Sequence, residues 1–172
     1  KRSNEQKKQG IPAAQRERRP EPNPSYLKKT DLALEMLKSF AEAFPTFLIR
    51  GVLADALYGN AAFMDMAAAV TRNAQVVSEL RVNQLVQSCG KNITLKRYFA
   101  RQDGVATQLR IRGQQGQPVV MLTARLHVTA HRKKRFVVAL RYEGEKDYRF
   151  LVATNLSWRH MEVAQMYTLR WL

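Results

Sequence analysis

The first regular hydrophobic pattern in the chain lies between Thr30 and Pro45. Apolar residues recur there every three or four positions, which is the period of an α-helix with one buried face. They are Leu32, Met36, Leu37, Phe40 and Phe44. Thr30 is suited to cap such a helix and Pro45 to end it, with Asp31 in the first turn. The pattern predicts an amphipathic helix.

A short apolar run follows at residues 47–54 and ends at Asp55. Such a run is typical of a strand buried on both faces. The turn at residues 58–60 leads to Asn60, which can cap a helix from Ala61 to about residue 72, and residues 75–80 return as a strand. The predicted apolar face of that helix is Phe63, Met66, Ala67 and Val70. The order helix, strand, helix, strand predicts a parallel α/β sheet.

The pattern changes after about Cys89 to β-branched and aromatic segments between charged or glycine-containing turns. These segments predict strands. They are residues 94–99, 107–112, 118–129, 135–142 and 148–153. A helical pattern then runs from Ser157 to the chain end, with Glu162 in its first turn. A β-rich block therefore separates the α/β part from a last helix.

Residues 1–29 differ from the rest because they hold nine Lys or Arg residues, four prolines and few apolar residues. They can contribute little to a core, so a flexible basic connector is predicted. Across all 172 residues, 29 Lys and Arg against 14 Asp and Glu give a net charge of +15. A polyanionic partner is the first interpretation; a membrane surface, or charge that only keeps the chain soluble, stays open.

Two features argue against membrane insertion and secretion. The longest apolar stretch, residues 47–70, is interrupted by Arg50, Asp55 and Asp65, so it predicts no spanning helix and no membrane partner. The single cysteine, Cys89, cannot form an internal disulfide. The cytoplasm is the expected compartment.

The basic residues concentrate in residues 91–141, which contain twelve Lys or Arg residues and a single acidic residue, Asp103. Cations along strands can neutralise phosphates, and interleaved aromatics such as Tyr98 and Phe99 could stack on bases. The sharpest cluster is predicted to bind nucleic acid; it comprises Arg132, Lys133, Lys134 and Arg135. An ordinary charged hairpin tip is the alternative. Phosphate contacts of this kind carry no sequence information.

Asp55 is the candidate for chemistry, because α/β sheets place ligands at the carboxyl ends of their strands. As a metal ligand it would favour Mg²⁺ or Mn²⁺, since both prefer hard oxygen donors. Two-metal phosphoryl transfer needs several carboxylates, and no other acid obviously completes the set. The alternative is an aspartate that caps the turn before Gly59.

Two segments carry a family resemblance. Tyr167-x-x-Arg170, followed by Trp171, resembles the start of the Tyr-x2-Arg-x3-Glu-x6-Lys motif of DDE transposases of bacterial insertion sequences. Residues 52–59 (VLADALYG) resemble the segment around the second catalytic Asp of the same group, and residues 78–83 resemble the strand after it. The resemblance extends from about residue 30 to the end of the chain.

The resemblance implies a ribonuclease-H-like α/β core interrupted by a β-rich insertion domain. The chain would then divide into a connector (1–29), the middle of the core (30–88), the insertion (89–154) and a truncated core helix (155–172). Asp55 would be a catalytic metal-binding Asp, while Tyr167 and Arg170 would hold phosphates of the transposon end. Mg²⁺ or Mn²⁺, transposon-end and target DNA, a homodimer in a synaptic complex and a place beside the bacterial nucleoid are implied with it.

The motif is incomplete within these residues. Its Glu would fall two residues beyond Leu172, and no Asp upstream of Asp55 lies in a strand-like setting. We therefore expect an internal fragment that holds one of three catalytic carboxylates and is inactive alone. A non-catalytic DNA-binding remnant and a ribonuclease-H-like nuclease without strand transfer remain alternatives.

Overall fold

The computed structural model describes residues 2–15, 23, 26–110 and 116–171. Its helices are α1 (Arg2–Lys8), α2 (Lys29–Ala43), α3 (Ala61–Val70), α4 (Leu95–Phe99) and α5 (His160–Thr168). Its strands are β1 (Gly51–Leu53), β2 (Gln75–Leu80), β3 (Leu85–Ser88), β4 (Lys91–Thr94), β5 (Val105–Leu109), β6 (Gln117–Val128), β7 (Lys133–Tyr142) and β8 (Arg149–Ala153). Short 3-10 turns lie at Ala13–Gln15, Ala56–Tyr58, Thr129–His131 and Leu169–Trp171.

All eight strands belong to one sheet with the order β1-β2-β8-β7-β6-β3-β4, and β5 pairs with β6. Among the strands of the described residues, only β1 and β2 run parallel. Helix α3 connects them, as a parallel pair requires a crossover, whereas short turns connect β3 to β4, and β6 through β8, as antiparallel neighbours. The predicted α/β class is confirmed, and the parallel pairing is limited to this one pair.

The sheet is strongly curled. Residues 81–84 form a closed turn between β2 and β3, with a 2.9 Å hydrogen bond from Gln84 N to Arg81 O. Strands β8, β7 and β6 nevertheless lie between β2 and β3 in the sheet. Four strand spacings in a flat sheet would separate them by about 19 Å, but the ends of a closed turn lie within about 7 Å. The sheet must therefore bend until β3 returns towards β2.

Helices cover both faces of the curled sheet. Inward-facing residues of five strands pack with Phe63 of α3 and with Leu95 and Phe99 of α4. The strand residues include Val76, Val86, Leu122, Val137 and Val152. On the opposite face, Val163, Ala164 and Tyr167 of α5 pack against a second cluster that includes Val77, Val138 and Leu151. This layering of helices on a mixed sheet is consistent with a ribonuclease-H-like fold.

The sheet crosses the predicted boundary at residue 89 without a break. Strand β8 pairs directly with β2, with Val77 opposite Ala153, and β7 continues the sheet from β8. Within the described residues, the β-rich part thus extends the sheet that β1 and β2 begin. The segment predicted as a connector, residues 1–29, contains α1 and a 3-10 turn at Ala13–Gln15.

Several predicted elements agree with the structure. Strand β2 has the predicted bounds. Asn60 caps α3, because its Oδ1 accepts a 2.9 Å hydrogen bond from Phe63 N. Helix α2 agrees with the prediction to within two residues at its start: its N-cap is Lys28, which makes no side-chain cap bond, instead of the predicted Thr30. Helix α5 begins at His160 rather than at Ser157, whose N–H and hydroxyl both donate to Asn155 Oδ1.

Other elements differ from the prediction. Residues 95–99 form α4 instead of a strand, because Thr94 Oγ1 accepts a 3.3 Å hydrogen bond from Arg97 N and starts a helix. Strand β1 is only three residues long.

The buried faces of two helices also differ from the prediction. Met66 was predicted on the apolar face of α3, but Met66 is 53% exposed and Met64 is buried instead. The predicted apolar stripe of α2 also differs: Leu34 and Leu37 pack on the core, while Leu32, Met36, Phe40 and Phe44 are exposed. Part of the predicted strand 107–112 lies outside the described residues.

Candidate active site

Asp55 lies just beyond β1, where the parallel strands β1 and β2 end. Its carbonyl oxygen accepts a 2.8 Å hydrogen bond from the Ser78 hydroxyl of β2. Its carboxylate Oδ1 accepts a 2.7 Å bond from Ala56 N, and its side chain is 65% exposed. Asp55 therefore caps the 3-10 turn Ala56–Tyr58, as the alternative predicted, and still presents its carboxylate to solvent.

Gly59 brings this turn against the end of β2. A Cβ at residue 59 would lie 2.4 Å from Glu79 O and 3.2 Å from Ser78 Oγ, which is closer than a side chain tolerates. The φ angle of Gly59 is −75°, which any residue can adopt, so close approach is the reason for glycine here. The result is a turn that holds Asp55 beside Glu79.

Glu79 is the site residue that sequence reasoning missed. It lies on β2 and shares the sheet face of Val77, because strand side chains alternate. That face is covered by α5, and Tyr167 of α5 donates a 2.8 Å hydrogen bond to Glu79 Oε2. One signal could have drawn attention to Glu79: it is the only acid in the mostly apolar run Gln75–Leu80.

Arg170 joins these groups. Its Nη1 lies 3.1 Å from Asp55 Oδ1 and 3.7 Å from Glu79 Oε2. The same nitrogen donates to the Tyr167 hydroxyl at 3.4 Å, and the guanidinium lies 5.0 Å from the centre of the Tyr167 ring. The structure thus brings together Asp55, Tyr167 and Arg170, three residues chosen from sequence, around Glu79.

Tyr167 is fully buried, with 0% exposure. Burial, then the hydrogen bond to Glu79 and the charge of Glu79, raise the pKa of Tyr167 to about 12. The hydroxyl therefore stays protonated at neutral pH and acts as a donor to Glu79. A direct contact between Tyr167 and a phosphate, as predicted, would require this hydroxyl to leave Glu79 and become exposed.

The predicted nucleic-acid cluster at the β6–β7 hairpin divides into two kinds of residue. Arg132 and Lys134 are exposed. Lys133 lies 2.8 Å from Asp65 Oδ2, and Arg135, whose side chain is only 3% exposed, lies 2.6 Å from Asp65 Oδ1. Although burial alone would raise the pKa of Asp65, hydrogen bonds from these two cations lower it. Arg135 is thus buried and paired with Asp65 of α3, so a contact between Arg135 and nucleic acid stays a prediction that would require this side chain to leave Asp65 and become exposed.

His131 connects the hairpin to the turn of Asp55. Its Nδ1 accepts a 3.1 Å hydrogen bond from Arg135 Nε, so the ring proton must be on Nε2, which donates to Gly59 O at 3.0 Å. Burial and the charge of Arg135 lower the pKa of His131, so the ring stays neutral. This chain of hydrogen bonds fixes the basic hairpin tip next to the turn that carries Asp55.

The carboxylates of Asp55 and Glu79 fit a hard divalent cation in part. Both contact one cationic atom, Arg170 Nη1, so both are directed at a common positive charge. Oxygen ligands of this kind suit Mg²⁺ or Mn²⁺. Within the described part of the chain, no group of three His, Cys, Asp or Glu residues converges on one point. Two carboxylates are fewer than a two-metal centre requires.

The chain matches a known protein family over most of its length. The model of the DDE superfamily endonucleases matches residues 2–145, most of the chain. The chain belongs to this family. The match includes Asp55, Glu79 and the β6–β7 hairpin, and it ends before α5, so the motif residues Tyr167 and Arg170 lie outside it. No curated protein matches the sequence.

DDE superfamily endonucleases act on DNA and generally use divalent metal ions. The site agrees with both properties, because two carboxylates lie at the strand ends with the Arg170 guanidinium beside them, and Arg132 and Lys134 are exposed on the β6–β7 hairpin. In the part of the chain that the structure describes, no helix is long and apolar enough to span a membrane.

Proposed function

We propose that this DDE endonuclease chain belongs to a DNA transposase that cuts transposon ends and joins them to target DNA. The observation that carries the proposal is the convergence of Asp55, Glu79 and Arg170 at the ends of the two parallel strands. This placement agrees with the resemblance of residues 52–59 and 167–170 to insertion-sequence transposases. Work beside the bacterial nucleoid and a homodimer that pairs two transposon ends belong to the same proposal.

A Mg²⁺ or Mn²⁺ ion bound here would activate water and stabilise the leaving oxygen of the scissile phosphate. In this proposal Asp55 is a catalytic metal ligand, because its exposed carboxylate can turn to a ligand while its backbone stays tied to Ser78. Glu79 is half-buried and holds Tyr167, so its main role is to position the end of α5.

Arg170 is proposed to hold a phosphate near the scissile bond. A guanidinium can form paired hydrogen bonds with a phosphate, and 22% of the Arg170 side chain is exposed. Tyr167 positions that guanidinium, which lies over its ring and donates a hydrogen bond to its hydroxyl. Arg132 and Lys134, exposed at the hairpin tip, are proposed as further phosphate contacts. Lys133 is proposed to contact a phosphate only while its ammonium group also pairs with Asp65.

The chain of 172 residues is proposed to be inactive alone, because it holds only one of the three carboxylates that the resemblance implies. Magnesium-dependent strand cleavage by this chain would contradict that proposal. DNA binding without metal-dependent cleavage by the intact parent protein would instead favour the non-catalytic remnant. Cleavage without joining to target DNA would favour a simple nuclease.

The decisive test is the variant Asp55→Asn. Asparagine keeps the size of the side chain and an oxygen for Ala56 N, so the fold should be retained. We expect Mn²⁺ binding by the chain, measured by electron paramagnetic resonance, to weaken strongly. In the parent protein, cleavage of transposon-end DNA should fall by about 100-fold or more, since even the outer partners of metal ligands are worth about 10- to 100-fold.

Asp103→Asn is the matched control, because Asp103 is an exposed carboxylate in the segment between α4 and β5. It should leave both Mn²⁺ binding and cleavage unchanged. If Asp55→Asn binds DNA and cuts it at the normal rate, the proposed role of Asp55 is wrong.

A further inference from the structure

A second cationic site lies away from Asp55, between the β3–β4 hairpin and α4. The cavity there has a volume of about 630 Å³, within the range of about 300–1,000 Å³ that ligand sites occupy. Lys91, Arg97 and Arg101 line it together with Tyr98 and Cys89. None of its lining residues is acidic.

Local structure explains why the three cations share this cavity. Cys89 and Gly90 both have positive φ angles, 48° and 74°, which makes the tight hairpin turn that starts β4 at Lys91. Arg97 lies in α4, and Ala100 after it keeps a helical conformation, so Arg101 follows on the same side four positions later. Leu95 and Phe99 are buried and fix α4 to the sheet.

The three cations are exposed and have no acidic partner among the described residues. Neighbouring Lys96 shows the contrast, since its Nζ lies 2.9 Å from Asp147. A concave surface with three uncompensated positive charges attracts anions. Tyr98 adds a half-buried aromatic ring to the wall, next to Phe99 at 5.0 Å.

The geometry points to a binding site for the sugar–phosphate backbone of nucleic acid, with Lys91, Arg97 and Arg101 on successive phosphates and Tyr98 against a sugar or base. This inference rests on the proposed action on DNA and assigns a contact outside the Asp55 site. The hairpin cluster alone offers two unpaired cations, because Asp65 holds Lys133 and Arg135. The β4–α4 cavity therefore supplies a contact that the first cluster lacks.

Salt dependence tests the number of phosphates. Each neutralised phosphate of duplex DNA contributes about 0.9 to the slope of log affinity against log salt. The triple variant with Lys91, Arg97 and Arg101 each changed to Gln should lose about 2.7 from that slope. When the salt concentration is raised from about 50 to about 200 mM, both proteins lose affinity for DNA. The factor by which the unmodified protein loses affinity should be about 40 times the factor for the triple variant. The matched control changes the exposed Lys28, Lys29 and Arg72 to Gln and should keep the slope.

Cys89 allows a direct test of occupancy, because it is the single cysteine, is exposed and lines the cavity. Its alkylation by N-ethylmaleimide, a neutral reagent, would be timed in the 172-residue protein with no addition, with a duplex oligonucleotide, with inorganic phosphate or with ATP. Duplex DNA should slow the reaction at least about fivefold at saturation. The control triple variant should show the same protection, and the cavity triple variant should lose it.

Protection by DNA but not by phosphate or ATP supports a backbone site. Protection by phosphate or ATP without protection by DNA overturns it in favour of a small-anion site. If a gel-shift assay shows bound DNA while Cys89 stays fully reactive, the cavity inference is wrong and the proposed function survives. If no DNA binds, the inference fails together with the proposed action on DNA.

Discussion

Arg170 Nη1 lies 3.1 Å from Asp55 Oδ1, so the last turn of the chain makes an ion pair with the candidate metal ligand. The same nitrogen is within 3.7 Å of Glu79 Oε2. A single guanidinium therefore contacts two carboxylates at the ends of β1 and β2. Any cation that binds these carboxylates must compete with Arg170 for them or share them with it.

The first prediction concerns this competition. Arg170→Gln leaves Asp55 and Glu79 without their shared positive charge, so Mn²⁺ should bind the chain more tightly. Because the Asp55 side chain is 65% exposed, the gain should be modest, about two- to fivefold, as for exposed ion pairs. Isothermal titration with Mn²⁺ measures it, and Arg159→Gln, an exposed arginine at the start of α5, is the control. Unchanged or weaker Mn²⁺ binding in Arg170→Gln contradicts the prediction.

The second prediction concerns alkaline pH. The pKa of Tyr167 is raised to about 12 by burial and by Glu79, against about 10 in an unfolded chain. Neutral Tyr167 therefore stabilises the fold fully below pH 10, and this contribution is lost as the pH rises towards 12. Urea unfolding at pH 9 and pH 11.5 should show a smaller loss of stability in Tyr167→Phe than in the unmodified protein. An equal loss in both proteins would mean that Tyr167 does not titrate as described.

The third prediction concerns the buried arginine. Asp65→Ala removes the carboxylate that contacts Arg135, whose side chain is 3% exposed. Leaving a buried charge unpaired costs about 3 kcal/mol or more, so the free energy of unfolding should fall by about that amount. Asp147→Ala, which breaks the exposed pair with Lys96, should change stability little. Urea denaturation compares them, and equal effects would refute a structural role for the Asp65–Arg135 pair.

The fourth prediction concerns the turn that holds Asp55. In Gly59→Ala the new Cβ would meet Glu79 O at 2.4 Å, so the turn must move away from β2. We expect a loss of about 1–3 kcal/mol in stability and weaker Mn²⁺ binding, because Asp55 shifts with the turn. Gly90→Ala is the comparison, since a Cβ there meets nothing within 4 Å and only the positive φ is unfavourable. If Gly59→Ala binds Mn²⁺ normally, the turn does not control Asp55.

Much of the fold could be predicted because local rules decide it. The run of apolar residues set the bounds of β2, and Asn60 capped α3 through a hydrogen bond three residues away. The β6–β7 hairpin was expected from two β-branched segments around a charged turn. Asp55 was identified at the end of its strand because the position of a residue in a strand–turn–helix unit is visible in the sequence.

The tertiary structure decided which side chains are available. In the sequence, Arg132, Lys133, Lys134 and Arg135 have the same character, but only Asp65 of α3 determines that Arg135 is buried. Glu79 became a site residue only because α5 brings Tyr167 and Arg170 to it. The sequence predicted that α2 is amphipathic, but it did not predict which of its apolar side chains are buried. Burial and ion pairing depend on partners that are distant in the sequence, and local patterns do not contain that information.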